Sequence, residues 1–355
     1  MDEVDDVGIR RGSSVQFQDV QSATRRINSE PVPSLPLGIQ LGRVNFPVLL
    51  MNLPLSLSAQ VPNNAWMEAM SPSQREIGLD RAIAQFRSLY QHVVQHAVVY
   101  LLPSTPGLQD QPYVSNLGLV LPHCEQDTVI VSRFRSTPRI GEERIGAEFF
   151  KLMNFTIEHP PETFEGEPLY FEGEADLKHI RGNLYVGAHG MRTSRSALTW
   201  AAERFEMEIV PFRITDRYLY HLDCCFFRIS EEAVLLCTSV ADPVCLRALE
   251  RHCEIIDVSL EHARAGITSC LQLPGEVLCE SDIKLGKASH SYATEKTKIE
   301  RLENICSRFG RELRVFCMPE FYKSGAQLSC LIMHIRQLTD GARRQPNVAT
   351  RQGAR

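Results

Sequence analysis

From residue 43 to residue 338 the chain alternates between short, nearly continuous apolar runs and longer stretches with apolar residues at helical spacing. The runs AVVYLLP, MEIVPFRI, YHLDCCFFRI, AVLLCTS, ELRVFCMPEF and QLSCLIMHI read as strands, as do segments near LYFEGE, DLKHI and LYVGA, the last two joined by the turn Arg181-Gly182-Asn183. Between them, EERIGAEFFKLMNF, SRSALTWAAERF after Thr193, DPVCLRALERHC and ATEKTKIERLENICSRFG read as helices. SPSQREIGLDRAIAQFRSLYQHV predicts another, with Ser71 as N-cap, Pro72 at the first helical position, and Ile83, Phe86, Tyr90 and Val93 on one face. Regular alternation of strand and helix points to an α/β domain.

Polar residues interrupt the apolar strand ends at intervals of roughly 50 to 60 positions, the signature of a structural repeat. Asn116, Glu172, His221, Ser269 and Cys330 mark that beat. If each unit brings one strand end to a common centre, these five meet there. The stretch Tyr220–Phe227 poses the chemical question most sharply. Read as a strand, it puts His221, Asp223 and Cys225 on one face and Leu222 and Cys224 on the other. Cys225 then stands at an awkward reach from His221, so the imidazole's thiol partner is expected elsewhere.

Composition narrows the class. The 355 residues are 43% apolar and carry a net charge of -5, which suits a large buried core and argues against general binding to nucleic acid. The longest apolar run, FPVLLMNLPLSLSA, is broken by Pro47, Asn52 and Pro54 and is too short to span a bilayer. Without a leader peptide, the reading is a soluble, cytoplasmic protein. Eleven cysteines are scattered without a C-x-x-C pair, so they are expected to be reduced and mostly core residues. His123-Cys124 and His252-Cys253 lack a second ligand pair at metal spacing, and neither a metal nor a cofactor is expected. Residues 1–42 are polar and end in the proline-bearing EPVPSLP; they read as a disordered arm. Residues 339–355 read as a disordered basic tail, leaving 43–338 as the catalytic body.

Four ordered segments carry a resemblance: FEGEADL (Phe171–Leu177), LYVGAHGMRTS (Leu184–Ser194), YHLD (Tyr220–Asp223) and KSGAQLSCL (Lys323–Leu331), extended upstream by PNNAWM and LQDQPYVSNLGLV. In this order they resemble the pentein superfamily of guanidine-modifying enzymes. The resemblance implies a five-bladed α/β propeller of ββαβ units around a central substrate channel. It also implies a cysteine-dependent hydrolase with Cys330 as nucleophile, His221 as acid and base, and Glu172 as the carboxylate beside the guanidine. Asp223, Asn116, Asn64 and Asp110 are implied substrate contacts, and Arg139 and Arg192 match positions that hold a substrate α-carboxylate.

The chemistry is consistent with those roles. A guanidinium carbon is a poor electrophile, so attack requires a thiolate and fixed negative charge around the N–H donors. Asparagine at 64 and 116, together with YHLD-x-CF, most resembles the arginine dihydrolases, which convert arginine to ornithine, carbon dioxide and two ammonia. An amide at 116 can donate to a ureido oxygen that a carboxylate would repel. Ser329 and the pair Glu174-Ala175 depart from the family pattern. They leave a deiminase, a dimethylarginine hydrolase, an amidinotransferase or a silent guanidine-binding protein as alternatives. The expected partner is a small guanidino substrate, with no nucleic acid or membrane; a homo-oligomer is left open.

Overall fold

The computed structural model describes residues 46–286 and 291–336. The expected arm at 1–42 and tail at 339–355 lie outside the described residues.

Five three-stranded sheets form the architecture, all with one internal plan. In each, the first strand pairs antiparallel with the second, and the second pairs parallel with the third after a helical crossover. This is the expected ββαβ unit, and the chain is a five-bladed α/β propeller. The first sheet takes strands from both ends of the body. It contains β1 (Val48–Asn52) and β2 (Val98–Leu102), connected through α1 (Ala65–Ala69) and α2 (Leu79–Val93). The second unit is β3 (Gly118–Val120), β4 (Thr128–Val131), α3 (Glu142–Leu152) and β5 (Thr156–Glu158). A small hairpin of β6 (Thr163–Phe164) and β7 (Glu167–Pro168) precedes the third, which is β8 (Leu177–Arg181), β9 (Leu184–His189), α4 (Arg195–Phe205) and β10 (Glu208–Arg213). The fourth is β11 (Phe226–Arg228), β12 (Ala233–Leu236), α5 (Pro243–Glu250) and β13 (Glu254–Asp257). After α6 (Leu260–Arg264) the fifth follows as β14 (Leu271–Leu273), β15 (Glu276–Glu280), α7 (Tyr292–Arg308) and β16 (Glu312–Phe316). Past α8 (Pro319–Tyr322), β17 (Met333–Arg336) pairs antiparallel with β1 and completes the first sheet.

The apolar pattern has a direct cause. The middle strand of every sheet, VLLMN, TVIV, LYVGAH, AVLL or EVLCE, is buried along essentially its whole length, so it reads as an unbroken apolar run. The third strands are edges with exposed positions, as in Glu208–Arg213. The run FPVLLMNLPLSLSA therefore contains a central sheet strand, Val48–Asn52, followed by a 3-10 turn at Pro54–Ser56. No helix among the described residues is long and apolar enough to cross a membrane. All eleven cysteines are free thiols, and most are buried.

Three expectations need correction. The helix expected from Ser71 is α2, which starts at Leu79 with Gly78 before it, well after Ser71. Ser71 begins only one turn, because the buried Arg75 guanidinium is captured by the carbonyls of Ala59, Gln60 and Met70. LYFEGE contributes only a bridge between Phe171 and Arg133 before a 3-10 turn over Gly173–Ala175. YHLDCCFFRI and QLSCLIMHI likewise begin as 3-10 turns, Leu222–Cys224 and Leu328–Leu331, and become strands only at Phe226 and Met333. The two-face reading of His221 to Cys225 fails with the strand that it assumed. Buried side chains replace ladder partners here: the Leu222 amide donates to the Asp176 carboxylate at 3.1 Å.

Candidate active site

Four of the five units open on a 3-10 turn just before their first strand, and those turns carry the site. Val114–Asn116 precedes β3, Glu172 caps the turn before β8, His221 caps the turn before β11, and Leu328–Leu331 precedes β17. In the fifth unit the bend at Thr268–Cys270 takes the corresponding place before β14. The turns approach closely enough to require glycine. Gly173 has φ +64°, and a Cβ there would stand 2.7 Å from the Gly118 carbonyl and 2.8 Å from that of Ser115.

All five residues of the beat are buried. His221 and Glu172 share a hydrogen bond, Nε2 to Oε2, of 2.8 Å, and the Asn116 amide lies 3.1 Å from the same nitrogen. Nε2 cannot accept from Asn116 while donating to Glu172, so the proton's place decides which contact forms. Glu172 also receives Arg192 at 3.3 Å. Burial alone would raise the Glu172 carboxyl, but Arg192 and His221 outweigh it and hold it far below the usual carboxylate range.

Cys330 lines a narrow pocket together with Asn63, Asn64, Asp110, Tyr113, Asn116, Arg139, Arg192, Tyr220 and His221, while Glu172 and Asp223 are not among its lining residues. Its sulfur lies 3.8 Å from Asp223 Oδ2. Burial, and then the Asp223 carboxylate, push this thiol well above its ordinary range. Asp223 accepts from Ser329 Oγ at 2.8 Å, and Ser329 pairs with Ser269 at 2.6 Å, which accounts for the fifth member of the beat. A larger cavity of about 300 Å³ is lined by Asp223 and Ser329 but not by Cys330 or His221, and has no lining residue in common with the Cys330 pocket. The smaller pocket holds the reactive groups and is the candidate site.

The remaining expected contacts divide. Asn64 lines the pocket, but its side chain is committed to structure: Oδ1 accepts from the Met67 amide at the start of α1, and Nδ2 donates to the carbonyl of Ser324. Asp110 is buried and accepts from Asn63 at 2.6 Å; burial raises its carboxyl despite the nearby Arg139. Arg139 is no surface charge. It grips Glu142 with Nε and Nη2, and Nη2 also donates to the Tyr113 carbonyl at 3.0 Å. Arg192 donates to the Asn63 carbonyl at 2.6 Å and lies over the Tyr220 ring. Cys224 is half-buried near Asp223, and Cys225 packs in the core, its thiol directed to the Leu222 carbonyl.

Sequence reasoning missed the groups that position these. Thr193 accepts from the Glu172 amide at 3.0 Å and donates to Asp176 at 2.7 Å, while the other Asp176 oxygen holds Leu222 next to His221. One buried carboxylate thus ties the Glu172 turn to the His221 turn. Burial pushes it up to about 6, against the pull of His221. Both residues lie within the quoted FEGEADL and MRTS segments, but only the fold joins those segments.

The chain matches the N,N dimethylarginine dimethylhydrolase family (eukaryotic) over residues 55–336. It is 28% identical over 277 residues to the bifunctional arginine dihydrolase/ornithine cyclodeaminase AgrE of Nostoc sp. (strain PCC 7120), covering 77% of this chain and 36% of that protein. The chain thus spans about a third of that relative's length. The product-bound N-terminal domain of ArgZ, an arginine dihydrolase from the ornithine-ammonia cycle in cyanobacteria, superposes with TM-score 0.70 at 25% identity, covering 82% of this chain and 98% of that domain. A dimethylarginine dimethylaminohydrolase solved as its adduct with S-methyl-L-thiocitrulline shares the fold, with TM-score 0.61 at 17% identity over 81% of this chain and 99% of that one.

Proposed function

Because the chain belongs to the dimethylarginine dimethylhydrolase family, we propose that it is a cysteine-dependent guanidino hydrolase that converts arginine and two waters to ornithine, carbon dioxide and two ammonia. The observation that carries this reading is the Asn116 amide set 3.1 Å from His221 in the pocket that holds Cys330. The likeness to the ArgZ domain, which covers nearly all of that domain, supports the same choice.

The reaction proceeds in two rounds. The Cys330 thiolate attacks the guanidinium carbon and forms a C–S bond. The bond to a terminal nitrogen breaks, and His221 delivers the proton with which that nitrogen leaves as ammonia. Water, deprotonated by His221, then attacks the thiouronium carbon; the C–S bond breaks and a ureido group remains. Asn116 can donate to the new ureido oxygen, where a carboxylate would repel it. Cys330 attacks again, ornithine leaves with a proton from His221, and the carbamoyl thioester is hydrolysed to carbon dioxide and ammonia. Asp223 and Glu172 supply negative charge beside the guanidinium. Burial and the Asp223 carboxylate hold the Cys330 thiol high despite Arg139, and the substrate's own positive charge promotes its ionisation. Arg139 lines the pocket and uses Nε and Nη2 on protein partners. Its Nη1 is the donor assigned to the substrate carboxylate.

The family match favours a second reading, hydrolysis of dimethylarginine to citrulline and dimethylamine. One experiment separates the two: incubate the protein with arginine or with dimethylarginine, each with and without glycine, and quantify ammonia, citrulline, ornithine and dimethylamine. Two ammonia per ornithine is the expected result. Citrulline as the end product overturns the dihydrolase reading, and a glycine-dependent amidino product without ammonia overturns hydrolysis.

A further inference from the structure

Far from Cys330 in the sequence, and outside the pocket that holds it, three potential ligand atoms converge. His92 lies near the end of α2, His96 in the turn that follows, and Glu276 opens β15. The i, i+4 spacing stacks the two imidazoles on one side of the chain, with ring centroids 5.0 Å apart. Both Nε2 atoms face one carboxylate oxygen, Glu276 Oε1, at 2.7 Å from His92 and 3.3 Å from His96. All three ligand atoms lie within 4.8 Å of one another.

We propose that His92, His96 and Glu276 form a binding site for a divalent transition metal of the zinc class, which joins the first propeller unit to the fifth. Around zinc, with bonds of about 2.0 to 2.2 Å, tetrahedral ligands stand roughly 3.3 to 3.5 Å apart. The His96–Glu276 separation of 3.3 Å already matches that edge, and the His92 contact of 2.7 Å requires a side-chain shift of about half an ångström on the same scale. Two imidazoles and one carboxylate are a donor set that suits zinc, and partly exposed histidines leave the fourth position to water. The carboxylate is not a solvated acid: its side chain is only 6% exposed, and Arg314 Nε holds its second oxygen at 3.4 Å. That contact leaves Oε1 to act as a single-oxygen ligand, as an outer partner does in metal sites. Phe316 supports the outer face of the His92 ring at 5.5 Å.

The test uses untagged full-length protein carrying Cys330→Ser, which removes the catalytic thiol as a competing ligand. Zinc titration by calorimetry is expected to show one site, and cobalt is expected to give the visible absorption of a four-coordinate ion. Adding His96→Ala should lower zinc affinity at least tenfold and abolish the cobalt bands. Zinc should also raise the thermal midpoint in the parent and leave it unchanged in the variant. His96 is partly exposed, so the variant is expected to fold; His92→Gln serves as a second variant, and the midpoint without metal reports on both. Zinc binding with the same stoichiometry and affinity in His96→Ala, or no binding by the parent, overturns the proposal.

Discussion

The sulfur of Cys330 lies 3.8 Å from the carboxylate of Asp223 and makes no hydrogen bond with His221, although both line one pocket. Burial, and then this carboxylate, disfavour ionisation of the thiol.

That relationship predicts opposite effects from one substitution. In Asp223→Asn, iodoacetamide should alkylate Cys330 at pH 8 several-fold faster than in the parent, because the repelling charge is gone. Turnover of the guanidino substrate should fall about 100-fold or more, the scale on which a preorganised electrostatic partner acts. Slower alkylation, measured by mass spectrometry of the modified peptide, would rule out the charge argument.

Glu172 holds His221 at 2.8 Å, and Thr193 holds Glu172 through its backbone amide. Glu172→Gln should lower kcat by roughly 100- to 10,000-fold, the range for losing acid–base function. Thr193→Val, which removes the bonds to the Glu172 amide and to Asp176 and so disturbs positioning, should lower kcat by about 10- to 30-fold with little change in KM, on the scale of two net hydrogen bonds. Equal losses in the two variants, determined by steady-state kinetics, would contradict this order.

Arg139 and Glu142 form a buried pair, with Nη2 to Oε2 at 2.6 Å. Burial pushes Glu142 up to about 7 even against the pull of its partner. Arg139→Ala should thus destabilise the fold by about 3 to 5 kcal/mol in urea unfolding. Arg139→Met with Glu142→Leu should recover most of that loss without restoring activity, because the isolated buried charge is gone but so is the guanidinium donor that lines the pocket.

Glu174 accepts from the His334 amide at 2.7 Å and pairs with Lys178 at 3.6 Å, so it ties β8 to β17. Burial would raise its carboxyl, but His334 and Lys178 outweigh it and hold it at about 2. A lowered folded-state value means stabilisation that is complete above the unfolded value of about 4.3 and lost as the pH falls towards 2, on the order of 2 to 3 kcal/mol. Urea unfolding at pH 7 and pH 3 should show a smaller acid loss in Glu174→Gln than in the parent. The same loss in both would remove Glu174 from the account.

Much of the plan was legible in the order of residues, for reasons of burial. Central strands with both faces covered are mostly apolar, so LYVGA and AVLL read directly as strands, while VLLMN was visible only as part of the longest apolar run and TVIV and EVLCE, the latter with a glutamate at each end, were not read; the helices carry their own caps at Ser194 and Asp242. The five polar positions at the strand ends, and the motifs around them, identified the residues that now meet. Local pattern could not decide that His221 and Cys330 sit at 3-10 turns instead of strands, because the side-chain partners there, Asp176 for the Leu222 amide and Asp223 for Ser329, come from other units. Nor could it separate Asn64, used up in capping a helix, from Asn116 beside the imidazole. Which side chain spends its hydrogen bonds on the scaffold and which keeps them for a ligand depends on neighbours tens to hundreds of residues away, and only the closed ring of five sheets brings those neighbours into contact.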